Sequence, residues 1–228
     1  TLQHFAFVQR SPDSKIYSLG TGLLFLSNKV LSNLDLREAV APLLHELSVE
    51  TSSTAFLGLI YGDHLFVVAK DEGVQDIGVT IRLGHRFPLS WGAHGKAILA
   101  FLPGAEQERV LSAPKLYFHG TPSKYDPERL KQELATCRKR GFAEDLGGMQ
   151  AGIHAVASPV FGSGGKLIGS LAVLGTFRKE VAKRYGARVA VAARTFSQGI
   201  GGVSPVSTQQ SGSEKAMVFE SVLEQRED

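Results

Sequence analysis

Cysteine is nearly absent from this 228-residue chain, and the one present, Cys137, excludes an internal disulfide framework. That fits a reducing compartment, and thiol chemistry is not expected of a solitary cysteine. No apolar run approaches the roughly 20 residues that span a bilayer, and Thr1 to Arg10 lacks the basic-then-apolar layout of a signal peptide. A cytoplasmic location with no membrane partner is therefore the expectation. A strong excess of one charge is also lacking: the net charge is +3 and the pI near 9.0, too mild to imply a nucleic-acid partner. Hydrophobic residues at 43% and charged residues at 21% match ordinary globular usage, which excludes wholesale disorder.

Chemical motifs are equally scarce. Gly95-Lys96 invites a phosphate-loop reading, but such a loop needs glycine where Ser90 stands and Ser or Thr where Ala97 stands. There is no Gly-x-Ser-x-Gly elbow, and Ser163-Gly-Gly-Lys166 and Ser112-Ala-Pro-Lys115 match Ser-x-x-Lys only in turn-like contexts. The seven histidines, His4, His45, His64, His85, His94, His119 and His154, form no pair at metal-ligand spacing on one helix. Asp145 is a carboxylate without an evident partner acid. No catalytic residue, metal or cofactor is assigned, and an enzyme is not expected.

What is present is a pattern of mixed elements. Phe5, Phe7 and Val8, then Lys15 to Leu19, read as two short strands around a turn, too small to stand alone. Leu23, Leu26, Val30 and Leu31 repeat at helical spacing, and Leu36, Val40, Leu43 and Leu47 form a second stripe. Asp35 and Glu38 resemble a capping box for that second helix, and Pro42 predicts a kink in it. Thr54 to Tyr61, Leu65 to Lys70 and a third run over Gly78 to Leu83 predict three antiparallel strands. Ala93 to Leu102 predicts a short helix stopped by Pro103-Gly104. Asp126-Pro127-Glu128 predicts a helix start, with Leu130, Leu134 and Cys137 on the apolar face and Gly141 at the end. Ile153 to Phe161 and Leu167 to Thr176 flank a hairpin turn at Gly162 to Gly165, and a last helix carries Val189, Phe196 and Ile200. Beyond Gly201 the composition is loop-like, apart from a short apolar cluster at Met217, Val218, Phe219 and Leu223.

Six segments, in order, resemble the IclR family of bacterial transcription regulators: Tyr17-Ser-Leu-Gly20, Leu36-Arg-Glu38, Arg82-Leu-Gly84 with Pro88-Leu89, Gly95-Lys-Ala-Ile-Leu-Ala100, Arg140-Gly-Phe142 and Ser158-Pro-Val160. The similarity covers about residues 5 to 200. The resemblance implies an α+β fold, a GAF-like effector domain with a curved antiparallel sheet flanked by helices. It divides the chain into a winged helix-turn-helix remnant, the wing, at 1–19, a linker helix at 20–34, an effector-binding domain at 35–201 and a mobile tail at 202–228. The recognition helix would precede Thr1, so this fragment alone is expected to bind DNA weakly and without sequence preference. It also implies operator DNA, a small organic effector, and self-association as a homodimer or homotetramer.

In this family the effector lies against the concave sheet. Carried onto this chain, the contacts are Ala93 and His94, Asp145, Ala155, Ala172 and Leu174, with Trp91 in the same loop closing the pocket or packing at an interface. Family members often carry cysteine at the position of Ala155 and serine at Ala172 and Leu174, so this pocket is expected to be drier and its ligand weakly polar or aromatic. Each position also has a plain structural reading: His94 capping the following helix, the alanines and Leu174 as core, Asp145 binding backbone amides. The alternatives are a stand-alone GAF-like sensing module and an acyl-transfer or metal-dependent enzyme.

Overall fold

The computed structural model describes residues 2–10, 16–23, 36–74, 78–79, 81–203 and 205. Near the amino end, β1 (Val8–Arg10) and β2 (Tyr17–Leu19) pair antiparallel, Val8 opposite Leu19, in a sheet of their own. Leu26, Val30, Leu31 and Asp35 of the predicted linker helix and cap, and the tail beyond 205, lie outside the described residues.

The main body starts with α1 (Leu36–Thr51), which runs on through Pro42 without a break. It continues with β3 (Thr54–Tyr61), β4 (His64–Glu72) and β5 (Arg86–Pro88), then α2 (Gly92–Leu99), α3 (Gly104–Leu111) and α4 (Pro127–Arg140). The last elements are β6 (Ala143–Leu146), β7 (His154–Phe161), β8 (Leu167–Gly175) and α5 (Ala182–Gly199). Six strands form one antiparallel sheet in the order β5-β4-β3-β8-β7-β6. The distant strands β3 and β8 meet at its centre, Phe56 opposite Ala172.

Strand alternation sends neighbouring residues to opposite faces. Ala55, Leu57, Val156, Leu171 and Val173 pack against Val40, Leu44 and Leu47 of α1 and Val189, Ala193 and Phe196 of α5. Phe56, Leu65, Ala157 and Ala172 join Ala97 and Ile98 of α2 and Leu130, Leu134 and Cys137 of α4. Helices therefore cover both faces. The start of α4 follows its sequence: Asp126 Oδ1 accepts the Arg129 N–H at 3.0 Å, Pro127 fills the first turn, and Gly141 takes a left-handed conformation at the end.

The expected third strand is displaced. Residues 81 to 85 lie outside the strands; the third strand of that half is β5, opposite His64 to Phe66. The cause is that the edge of β4 next to β5 is already used: Val67 donates to the His85 carbonyl at 3.0 Å and accepts from the Gly84 N–H at 2.7 Å. The Val79 carbonyl accepts instead from the Thr54 hydroxyl. Sequence periodicity also extended the helix after Trp91 too far and passed over α3, of which Val110 alone is buried.

Candidate functional site

On the α2 face of the sheet, alanines at the β7–β8 junction leave a cavity of about 60 Å³. Its floor is Phe56, Ala155, Ala172 and Leu174, on β3, β7 and β8. These residues share a face because Phe56 stands opposite Ala172, and Leu174 opposite Ala155. Trp91, Gly92, Ala93 and His94 come from the loop entering α2 and its first turn. Asp145 comes from β6, while Met149 and Ile153 come from the connection between β6 and β7. Ile81 and Phe87 close the remaining side.

All seven residues singled out from the sequence, Trp91, Ala93, His94, Asp145, Ala155, Ala172 and Leu174, therefore line one cavity. Phe56, Ile81, Phe87, Gly92, Met149 and Ile153 join them and were not foreseen. Their contribution depends on tertiary contact, and their local patterns read as ordinary strand or loop. The lining carries no lysine or arginine.

His94 supplies its unsatisfied polarity. The ring is 6% exposed, packed against Phe87 at 4.9 Å and Phe56 at 6.3 Å between centroids, and its Nε2 has no hydrogen-bond partner. Burial, assisted by His85, lowers its pKa to about 3, so the imidazole is neutral at physiological pH. It does not cap α2: the N-cap is Trp91, without a side-chain cap bond. Asp145 is also 6% exposed and is engaged by backbone, Oδ1 accepting the Gly148 N–H at 3.0 Å and Oδ2 the Met149 N–H at 3.1 Å. The solitary Trp91 ring lies between Phe87 at 5.8 Å and Tyr117 at 5.4 Å.

A charged network lies beside α2 and is separate from this cavity. Lys96, 2% exposed, reaches Glu133 Oε2 at 2.9 Å and the Glu144 carbonyl at 3.1 Å. The same carboxylate oxygen takes His119 Nε2 at 2.9 Å, and Arg129 meets its other oxygen at 3.0 Å. Burial pushes the Glu133 pKa up, but Lys96 and His119 outweigh it and hold the carboxyl below the usual range. Lys96, the residue that suggested a phosphate loop, is thus an anchor between α2 and α4. Burial pushes the Cys137 thiol up to about 12 against the pull of nearby Arg140, Arg138 and Lys96, so it is not a nucleophile. Among the described residues no group of three or more His, Cys, Asp or Glu side chains is arranged to hold a metal, and no helix is long and apolar enough to cross a membrane.

Comparison with known proteins agrees with this geometry. A family profile described as bacterial transcriptional regulator IclR C-terminal matches residues 28–200. The uncharacterized HTH-type transcriptional regulator RhmR of Escherichia coli K12 is 31% identical over 200 residues, covering 86% of this chain and 76% of its own. The HTH-type transcriptional regulator KdgR of Dickeya chrysanthemi is 28% identical over 204 residues, covering 88% and 67%. The crystal structure of Thermotoga maritima IclR superimposes with a TM-score of 0.69 at 31% identity, covering 88% of this chain and 82% of that one. An IclR transcriptional regulator from Alicyclobacillus acidocaldarius gives 0.72 at 26% identity over the same shares. A family match over most of the chain, joined to the same fold, leaves one assignment: this chain belongs to the IclR family of bacterial transcriptional regulators.

Proposed function

We propose that the cavity between α2 and the sheet is the effector site of this ligand-responsive regulator, and that its effector is an uncharged, weakly polar or aromatic molecule. The observation that carries this reading is the lining: apolar side chains, one neutral imidazole with a free Nε2, and a single carboxylate, with no cationic side chain. A small organic acid buried there would face Asp145 with no charged donor in compensation, and burying an unpaired carboxylate costs several kcal/mol. An apolar ring gains roughly 25 cal/mol for each Å² withdrawn from water. A phenol-like compound satisfies both demands, burying its ring on Phe56, Phe87 and Ala172 and presenting its hydroxyl to His94.

A thermal-shift panel tests this, comparing phenol and hydroxylated aromatics with glyoxylate and pyruvate, on the native chain and on Ala172→Ser. The expected result is stabilisation by the aromatic compounds and a weaker response in the variant. Stabilisation by the small acids alone, unchanged in the variant, would sink both the site and the ligand class.

The same reading assigns residues 1–19 to the wing of a winged helix-turn-helix head, 20–34 to a linker, 35–201 to the effector domain and 202–228 to a tail, in a cytoplasmic regulator whose head contacts operator DNA. It is supported by the separate β1–β2 ribbon, which exposes Tyr17 and Leu19. The chain acts as a homodimer or homotetramer, and light scattering coupled to gel filtration at tens of micromolar distinguishes these from a monomer.

A further inference from the structure

The cavity is too small for the ligand it suits. A void that accepts benzene measures about 150 Å³, whereas this one is about 60 Å³, room for water and little else. Some wall must therefore move. Phe56, Ala155, Ala172 and Leu174 are fixed by strand pairing on both sides of β8, and Ala93 and His94 by α2. Two walls differ, because they belong to no strand or helix: Ile81, in the loop before β5, and Met149 with Ile153, in the connection Gly147 to Ile153; the second is the one tied to a lining carboxylate.

Two glycines frame that connection. Gly147 and Gly152, with φ of 87° and 79°, bracket it in the left-handed region, which side-chain-bearing residues resist. One of its hydrogen bonds, from the Ile153 N–H to the Gln150 carbonyl, is internal. Two others tie it to the sheet, and both end on Asp145: the carboxylate on β6 straddles the consecutive N–H groups of Gly148 and Met149. Met149 in turn lies over the mouth of α2, and a side chain at Gly92 would stand 3.0 Å from its Cγ.

We infer that Asp145 is the latch of a lid, residues 147–153, and that the effector enters when the latch releases Gly148 and Met149. This rests on the effector-site reading and adds its gate. The carboxylate acts through the backbone of the lid; it is a positioning residue.

The test is amide hydrogen exchange on the ligand-free protein, so it requires no effector. Asp145→Ala removes both acceptors and Asp145→Asn keeps one carbonyl oxygen for a single amide. Gly148→Ala attacks the latch with Asp145 left unsubstituted, since its Cβ would fall 2.5 Å from Oδ1 and push the carboxylate off the amides. Hydrogen bonds to charged groups are worth enough that exchange at Gly148 and Met149 should rise at least about tenfold in Asp145→Ala. A smaller rise is expected in Asp145→Asn and a comparable one in Gly148→Ala, with Val156 on β7 unchanged in all three. Unchanged exchange at Gly148 and Met149 in both Asp145→Ala and Gly148→Ala would overturn the latch. A stopped-flow arm follows Trp91 emission on mixing with phenol, and faster association in the loosened variants supports gating. Faster exchange with no phenol binding in any version supports the latch and counts against the effector class alone. Phenol binding at the same rate in all versions overturns the gate.

Discussion

The two faces of the central sheet share strands β3, β7 and β8 and are packed differently over them. Towards α1 and α5 the strands present Leu57, Val156, Val160, Leu171 and Val173, and Leu44, Leu47, Val189 and Phe196 fill the space between. Towards α2, β7 and β8 present Ala155, Ala157 and Ala172, and the space is left partly empty. Volume invested in one face stabilises the fold; volume withheld from the other makes room for a ligand. Close packing makes the first intolerant of change. The second is bounded by a segment outside the strands that two hydrogen bonds tie to one carboxylate of β6.

The largest effect expected from this asymmetry falls on the filled face. Phe196→Ala, at a buried α5 position, should lower stability by about 3–5 kcal/mol in a urea titration. A loss below about 1 kcal/mol would mean that this face does not carry the fold. The next effect is a pH dependence from the emptier face. His94 has a folded pKa near 3 against 6.5 when free, so the unfolded chain binds the proton first as pH falls. The contribution of the neutral imidazole is complete above about pH 6.5 and declines below it, by up to about 1.4 kcal/mol per unit towards pH 3. Denaturation at pH 7 and pH 5 should show a loss in the native chain that His94→Phe reduces. The same loss in that variant would place the acid sensitivity elsewhere. The smallest effect sharpens the comparison most: Ala172→Val adds two methyl groups beside the cavity and should change stability by less than about 1 kcal/mol while abolishing phenol binding. Ala55→Val, the same change on the filled face, should cost about 1–3 kcal/mol.

These contrasts also explain what was legible in the sequence. Local chemistry announced the α4 cap at Asp126-Pro127 and the hairpin at Gly162 to Gly165, because each is decided within a few residues. Family resemblance brought Ala93, His94, Asp145, Ala155, Ala172 and Leu174 together, with Trp91 added from the same loop, which no spacing rule could do. The third strand misled because Gly78 to Leu83 alternates as a strand should, yet the edge of β4 is met by Gly84, His85 and β5. Helix α3 was missed because it buries Val110 alone and so carries no apolar stripe. The tie of Lys96 to Glu133 escaped notice, and the reading of Asp145 as a binder of backbone amides was correct without saying which segment it would hold. That tie joins two helices far apart in sequence; the segment held by Asp145 reads locally as a glycine-rich loop, and only its two hydrogen bonds give it a role.

The most direct test of the central claim uses the protein's own probe. Trp91 is the single tryptophan and lies in the cavity wall, so its emission reports on occupancy without a label. Titration of the native chain with phenol and, separately, with pyruvate should give a saturable change with phenol and none with pyruvate. A saturable change with pyruvate and none with phenol would contradict the account of an uncharged ligand held in a cation-free pocket.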